Sequence, residues 1–183
     1  MAGDHLLERT LGAAMRDGQT VTPDGERTAT PLEGVSQRRA RTHVDDRGTL
    51  VEILDPRWGW HPAPIVYAYA FTERPGSAKG WAIHKEHEDR YFLVSGELEL
   101  VLYDVRPESS TCGKLWAVVL TELDRSLINV PAFVWHATRN LGARDAVVVN
   151  FPTIPYDHRD PDKYRLPLDT PLIPYSFGDS KGW

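Results

Sequence analysis

The chain predicts an all-β fold, a double-stranded antiparallel β-barrel with a short N-terminal helix and a proline-rich C-terminal cover. Three observations carry that expectation. Short runs rich in β-branched and aromatic residues follow one another closely from Thr49 to Phe151, separated by Gly, Pro and Asp turns. Leu98, Leu100 and Leu102 alternate with Glu97 and Glu99, the pattern of a half-buried strand. Two histidines, His84 and His136, fall in segments that would line the same barrel. Alternation places His84 on one side with Ala82, and His136 on one side with Val134, Thr138 and Asn140. A buried imidazole is costly without partners, so two of them among such strands point to a site inside the barrel. Taken singly, each reads equally well as a hydrogen-bonded core or rim residue.

The elements follow in order. From His5 to Arg16, Leu6, Leu7, Leu11, Ala14 and Met15 recur at helical spacing, and Gly18 ends the pattern. A partner-binding helix is one reading; a helix packed on the barrel, or a frayed tail, is the plainer one. Asp17 to Gln37 is polar, rich in Gly, Thr and Pro, and without period, which marks a linker or arm. Residues 1–44 are therefore assigned to helix and arm, and residues 45–183 to the barrel domain with its tail. Strands are expected at Thr49 to Leu54, Ile65 to Phe71, Trp81 to His84, Tyr91 to Val94, Glu97 to Asp104, Leu115 to Leu120, Leu127 to Val130, Phe133 to Asn140 and Ala146 to Phe151. Beyond Pro152 five further prolines, from Pro155 to Pro174, forbid a long regular element, while Tyr156, Tyr164, Tyr175 and Phe177 can still pack on the barrel.

Composition narrows the class. A chain of 183 residues suits one domain with a real core. A net charge of -5 argues against general nucleic-acid binding and leaves room for a local basic pocket for phosphate. Cys112, the single cysteine, excludes an intramolecular disulfide and reads as structural. With no signal-like apolar core and no bilayer-length segment, a soluble, cytoplasmic protein is expected.

Four segments carry a family resemblance. They are D-D-R-G-T-L-V-E (Asp45 to Glu52), P-G-S-A-K-G-W-A-I-H (Pro75 to His84), G-E-L-E-L-V-L-Y-D-V-R-P-E-S-S-T-C-G-K (Gly96 to Lys114) and N-V-P-A-F-V-W-H-A (Asn129 to Ala137). On these the chain resembles the cupins (jelly rolls) and, within them, the dTDP-4-dehydrorhamnose 3,5-epimerase family, over about two-thirds of its length. The D-R-G-x-L-x-E and S-x-T-x-G segments are the specific ones. The resemblance implies an isomerase that moves protons beside the ketone of a dTDP-4-keto-6-deoxysugar without a cofactor, working as a homodimer. It implies His84 as the base and Asp169, in P-L-D-T-P, as the carboxylate that orients it. Lys79 would contact the diphosphate, with His136 and Asn150 also touching substrate, and Arg47 and Glu52 would reach the nucleotide of a neighbouring subunit through an exchanged strand. In isolation Asp169 reads as a turn residue, and Arg47 and Glu52 as a surface ion pair.

The chain also departs from that family. Val149 or Asn150 stands where the family has its acid tyrosine, and Asp89 where it has its enolate-stabilising lysine, so Lys85 or Arg90 would have to substitute from a shifted loop. These departures favour a single epimerisation or a keto-isomerisation. Two alternatives stand beside it. His84, Asp89 and His136 could hold a divalent metal such as Fe, Mn or Zn as two histidines and a carboxylate, with His87 expected on the opposite strand face at a rim. A non-catalytic sugar- or nucleotide-binding cupin is the other, since Trp58, Trp60, Trp81, Trp116 and Trp135 suit stacking or simple barrel filling.

Overall fold

The structure, a computed structural model, describes residues 2–182. They divide into two compact units, one ending at Thr30 and one beginning at Pro31. The first holds helix α1 (Ala2–Ala13) and an antiparallel bridge between Val21 and Arg27. The helix stops short of the expected Arg16, with Gly12, an entropically costly residue, in its last turn.

The second unit is two facing sheets. One has the order β1 (Ser36–Arg39), β9 (Ser126–Val130), β6 (Asp89–Ser95), β11 (Ala146–Asn150) and β4 (Tyr69–Glu73). The other runs β12 (Tyr164–Arg165), β5 (Ser77–Ile83), β10 (Val134–Asn140), β7 (Glu97–Asp104) and β8 (Leu115–Thr121), with β13 (Lys181–Gly182) also on β5. A hairpin of β2 (Thr42–Asp45) and β3 (Gly48–Val51) forms a separate two-stranded sheet. Every pairing is antiparallel except β13 with β5.

The expected barrel is present, with its boundary moved. β1 pairs along its length with β9, so the compact unit starts at Pro31 rather than Asp45. The Ser-Gln-Arg-Arg sequence of β1 gives no apolar alternation to announce it. Phe133 lies outside β10 because its φ of 59° is left-handed, a conformation a bulky residue rarely adopts. Gly96, between β6 and β7, has φ +93, and a Cβ there would lie 2.7 Å from the Ala146 Cα, so this turn requires glycine.

Burial divides the barrel interior. Leu98, Leu100 and Leu102 pack with Ile128, Val130, Val134 and Val148 in an apolar core. A second cluster lies on the outer face of β5, β10 and β7, where Ile173, Phe177 and Tyr175 of the tail cover Trp81, Val101 and Ala137. Tyr175 and Phe177 thus make the tail an ordered cover, while Tyr156 and Tyr164, also expected to pack, stay exposed. No helix among the described residues is long and apolar enough to cross a membrane.

Candidate active site

Polar residues replace apolar ones where β4, β5 and β10 face one another, and a cavity of about 570 Å³ opens there. Tyr69, Phe71 and Glu73 of β4 form one wall; Ala82 of β5 with His136 and Thr138 of β10 form the other. The register explains why Lys79 also faces in. His136 pairs with Ala82 but Thr138 pairs with Lys79, so a bulge in β5 resets its alternation. Five cations, Arg74, Lys79, Lys163, Arg165 and Lys181, line the cavity against a single carboxylate, Glu73. That is a strongly anion-attracting pocket in a chain of net charge -5.

Behind the lining residues Tyr91 and His136 stands Asp89, buried at 2% exposure. His84 Nε2 lies 3.2 Å and His136 Nε2 3.4 Å from Asp89 Oδ2. Tyr91 Oη donates to Oδ2 at 2.7 Å and Asn150 Nδ2 to Oδ1 at 2.7 Å. Burial pushes the Asp89 carboxyl up, but the contacts with His136 and His84 outweigh it and hold it well below the usual carboxylate range. Burial lowers the His136 imidazole, against the pull of Asp89. His136 and Tyr91 border the cavity; His84 sits behind them.

The carboxylate that organises His84 is not the expected one. Asp169 is exposed in a turn. The tail runs antiparallel to β5, pairing Tyr164 with Ile83 and Arg165 with Ala82, so each residue past Arg165 leads away from His84. Asp89 is the carboxylate at His84 Nε2, and the Asp162 backbone holds the other side of the ring. The Asp162 carbonyl accepts from His84 Nδ1 at 2.5 Å, and its carboxylate accepts from the Lys85 and Glu86 amides at 2.8 Å each and from His87 Nδ1 at 2.8 Å.

His87, expected on the opposite face, stacks against His84 with ring centroids 3.9 Å apart. β5 ends at Ile83, so strand alternation no longer applies, and the turn held by Asp162 brings both rings to one side. Lys85 lies over the Tyr164 ring, and Arg90 is spent on the Ala63, Pro64 and Phe151 carbonyls, so neither reaches the cavity. Lys163 does line the cavity; burial lowers its ammonium, with Arg165 adding and Asp89 opposing. Arg47 sits at the β2–β3 turn, 2.5 Å from Asp45, and Glu52 is exposed just beyond the hairpin; neither lines the cavity.

Sequence reasoning missed Tyr69. Its cross-strand partner is Asn150, whose Nδ2 donates to the phenol oxygen at 3.0 Å, leaving the O–H free for a ligand. Burial and the Asp89 charge push this phenol up to about 12. Position 150 carries no phenol, yet a phenol stands beside it, one strand away. Glu73 was missed as well. It accepts from Thr138 Oγ1 at 2.6 Å and from the Asn140 amide at 3.1 Å, and burial raises its carboxyl.

Two facing antiparallel sheets with a polar cavity between them define a cupin barrel. No family model matches the chain. It is 31% identical over 139 residues to the probable low-salt glycan biosynthesis epimerase Agl13 of Haloferax volcanii, spanning 75% of this chain and 89% of that protein. Identity to the spore coat polysaccharide biosynthesis protein SpsL of Bacillus subtilis is 28% over 148 residues, 80% of this chain and 96% of SpsL. Among solved structures, a dTDP sugar isomerase from Desulfovibrio desulfuricans G20 superposes with a TM-score of 0.74 at 27% identity, covering 79% of this chain and 91% of that one. The chain belongs to the dTDP-4-dehydrorhamnose 3,5-epimerase family of cupins.

Proposed function

We propose that the chain is a nucleotide-sugar epimerase or isomerase that moves a proton at a carbon beside the ketone of a dTDP-4-keto-6-deoxysugar. One observation carries this reading: a single cavity joins a cationic rim to proton-carrying groups on opposite walls. The rim, Lys79, Arg165 and Lys181 included, suits a diphosphate. His136 on β10 is the imidazole that borders the cavity, and it takes the proton, with Asp89 stabilising the resulting imidazolium. The Lys163 ammonium stabilises the enolate oxygen. Tyr69 on β4 faces the other side of the sugar ring and returns a proton there. His84 acts through Asp89 rather than on the substrate, since it lies behind His136.

The working form in this reading is a cytoplasmic homodimer. The β2–β3 hairpin projects Val44 and Leu50, 74% and 62% exposed, and pairing with a second copy would cover them and carry Arg47 and Glu52 to the partner's cavity. The exposed free thiol of Cys112 fits a reducing compartment.

The test is incubation with dTDP-4-keto-6-deoxyglucose in heavy water, followed by mass spectrometry and proton NMR. Deuterium entering at carbon 3 or carbon 5 is the expected result. No uptake from this or related dTDP-keto sugars by folded protein would overturn the assignment.

A further inference from the structure

We infer that β13 is a strap held on the barrel by the ligand: it carries Lys181 to the cavity, and a bound diphosphate locks the strand onto β5. The inference rests on reading the cationic rim as the diphosphate site. Most of the tail is fixed by apolar packing, and β13 is not. Ile173 and Phe177, 3% and 4% exposed, pack with Trp81 and Ala137 on the outer face of the sheet. Beyond Phe177 that anchorage stops. Gly178 turns the chain at φ +58, and Ser180 Oγ donates to the Phe177 carbonyl at 2.8 Å to close the turn. The two residues of β13 that follow are both exposed. They lie parallel to β5, Lys181 opposite Ser77 and Gly182 opposite Ala78, and the Lys181 amide donates to the Gly76 carbonyl at 2.9 Å. So short a parallel ladder, with no side chain buried, opens locally at low cost.

Yet both residues line the cavity. Lys181 stands there with Arg74, Lys79, Lys163 and Arg165, while Glu73, the single carboxylate, is engaged by Thr138 and Asn140. Like charges oppose bringing a fifth cation into such a cavity, and a diphosphate reverses that sign. Seating has a second requirement. A Cβ at Gly182 would run into the Ala78 carbonyl oxygen and lie 3.0 Å from Leu168 Cδ1, so only glycine lets β13 approach β5 this closely. Docking of the strand and binding of the anion are therefore linked, and whatever stabilises one stabilises the other.

The test is hydrogen–deuterium exchange over residues 178–182 of the full-length protein, alone and with saturating dTDP, inorganic pyrophosphate or thymidine, with binding followed by calorimetry. dTDP and pyrophosphate should slow exchange at the Lys181 amide about tenfold or more, and thymidine should not. Lys181→Gln and Gly182→Val should each weaken dTDP binding about tenfold, the second although the lysine is kept. Both positions are exposed, so the thermal midpoint should stay at the wild-type value, and the wild-type exchange measurement needs neither variant. Bound dTDP with unchanged exchange overturns the strap and leaves the diphosphate reading standing, as does wild-type affinity in Gly182→Val. Folded protein that binds neither dTDP nor pyrophosphate overturns both.

Discussion

Asp89 and Asp104 are both buried carboxylates, 2% and 0% exposed, both held well below the ordinary carboxylate range, and they do different work. Asp104 ends β7 and accepts from Arg106 Nη2 at 2.8 Å, Ser109 Oγ at 2.6 Å and Thr111 Oγ1 at 2.6 Å. The same network reaches Glu33, whose carbonyl accepts from Arg106 and whose amide donates to Thr111 Oγ1. Every donor to Asp104 keeps its proton at any physiological pH. Asp89 faces imidazoles, which do not. A carboxylate saturated by permanent donors is a clamp; one bordered by titratable rings beside a cavity can assist proton transfer. The S-x-T-x-G segment, specific as a sequence signature, therefore serves the fold rather than the chemistry.

Substitutions should separate the two. Asp89→Asn is expected to lower turnover about 10⁴-fold, the scale of losing the carboxylate partner of a catalytic imidazole. Its far-ultraviolet circular dichroism should stay native. A variant retaining a tenth of wild-type turnover would remove Asp89 from the mechanism. Asp104→Asn should do the reverse, costing about 3–4 kcal/mol in urea unfolding by breaking a buried ion pair, with turnover per folded molecule kept. A cost below about 1 kcal/mol would show the clamp to be ornamental.

Acid sharpens the same contrast. Burial raises the Asp104 carboxyl, but its bonds from Arg106, Ser109 and Thr111 lower it further, so the folded value lies below the unfolded one. The stability it contributes is complete above the ordinary carboxylate pKa of about 3.9 and is lost as pH falls below that. The wild type should therefore lose more stability between pH 5 and pH 2 than Asp104→Asn, measured by urea midpoints.

Tyr69→Phe should cut epimerisation about 10²-fold while deuterium exchange persists, because proton removal at His136 survives loss of the returning acid. Equal loss of both would place Tyr69 in binding. The smallest effect belongs to Phe133, left-handed at φ 59° and 45% exposed. Phe133→Gly should stabilise by about 1 kcal/mol through relief of that strain, read as a higher thermal midpoint. A lower midpoint would mean the ring's packing outweighs the backbone term.

Glu97–Asp104 was legible to the residue, and the other barrel strands from Tyr69 to Asn150 to within a few positions, because strand periodicity is a local property of side-chain alternation. His136, Thr138 and Asn140 were placed inward correctly for the same reason. Alternation does not place three other residues of the site, although the family resemblance already assigns one of them, Lys79, to the diphosphate. Lys79 turns inward only through a bulge seen in the register between β5 and β10. His87 joins His84 only because Asp162, 75 residues away, holds the turn between them. Tyr69 stands in for an absent phenol only because β4 pairs with β11 at Asn150.

What the chain by itself determined was the barrel, the inward histidines, the basic pocket as a possibility and the tail as a cover, all consequences of period and composition. Tertiary structure alone decided which carboxylates meet which rings: Asp89 with His84 and His136, Asp162 with His87, and Asp169 turned to the surface. Those pairings join segments distant in sequence, and a shift of one residue in register would send each side chain to the opposite face.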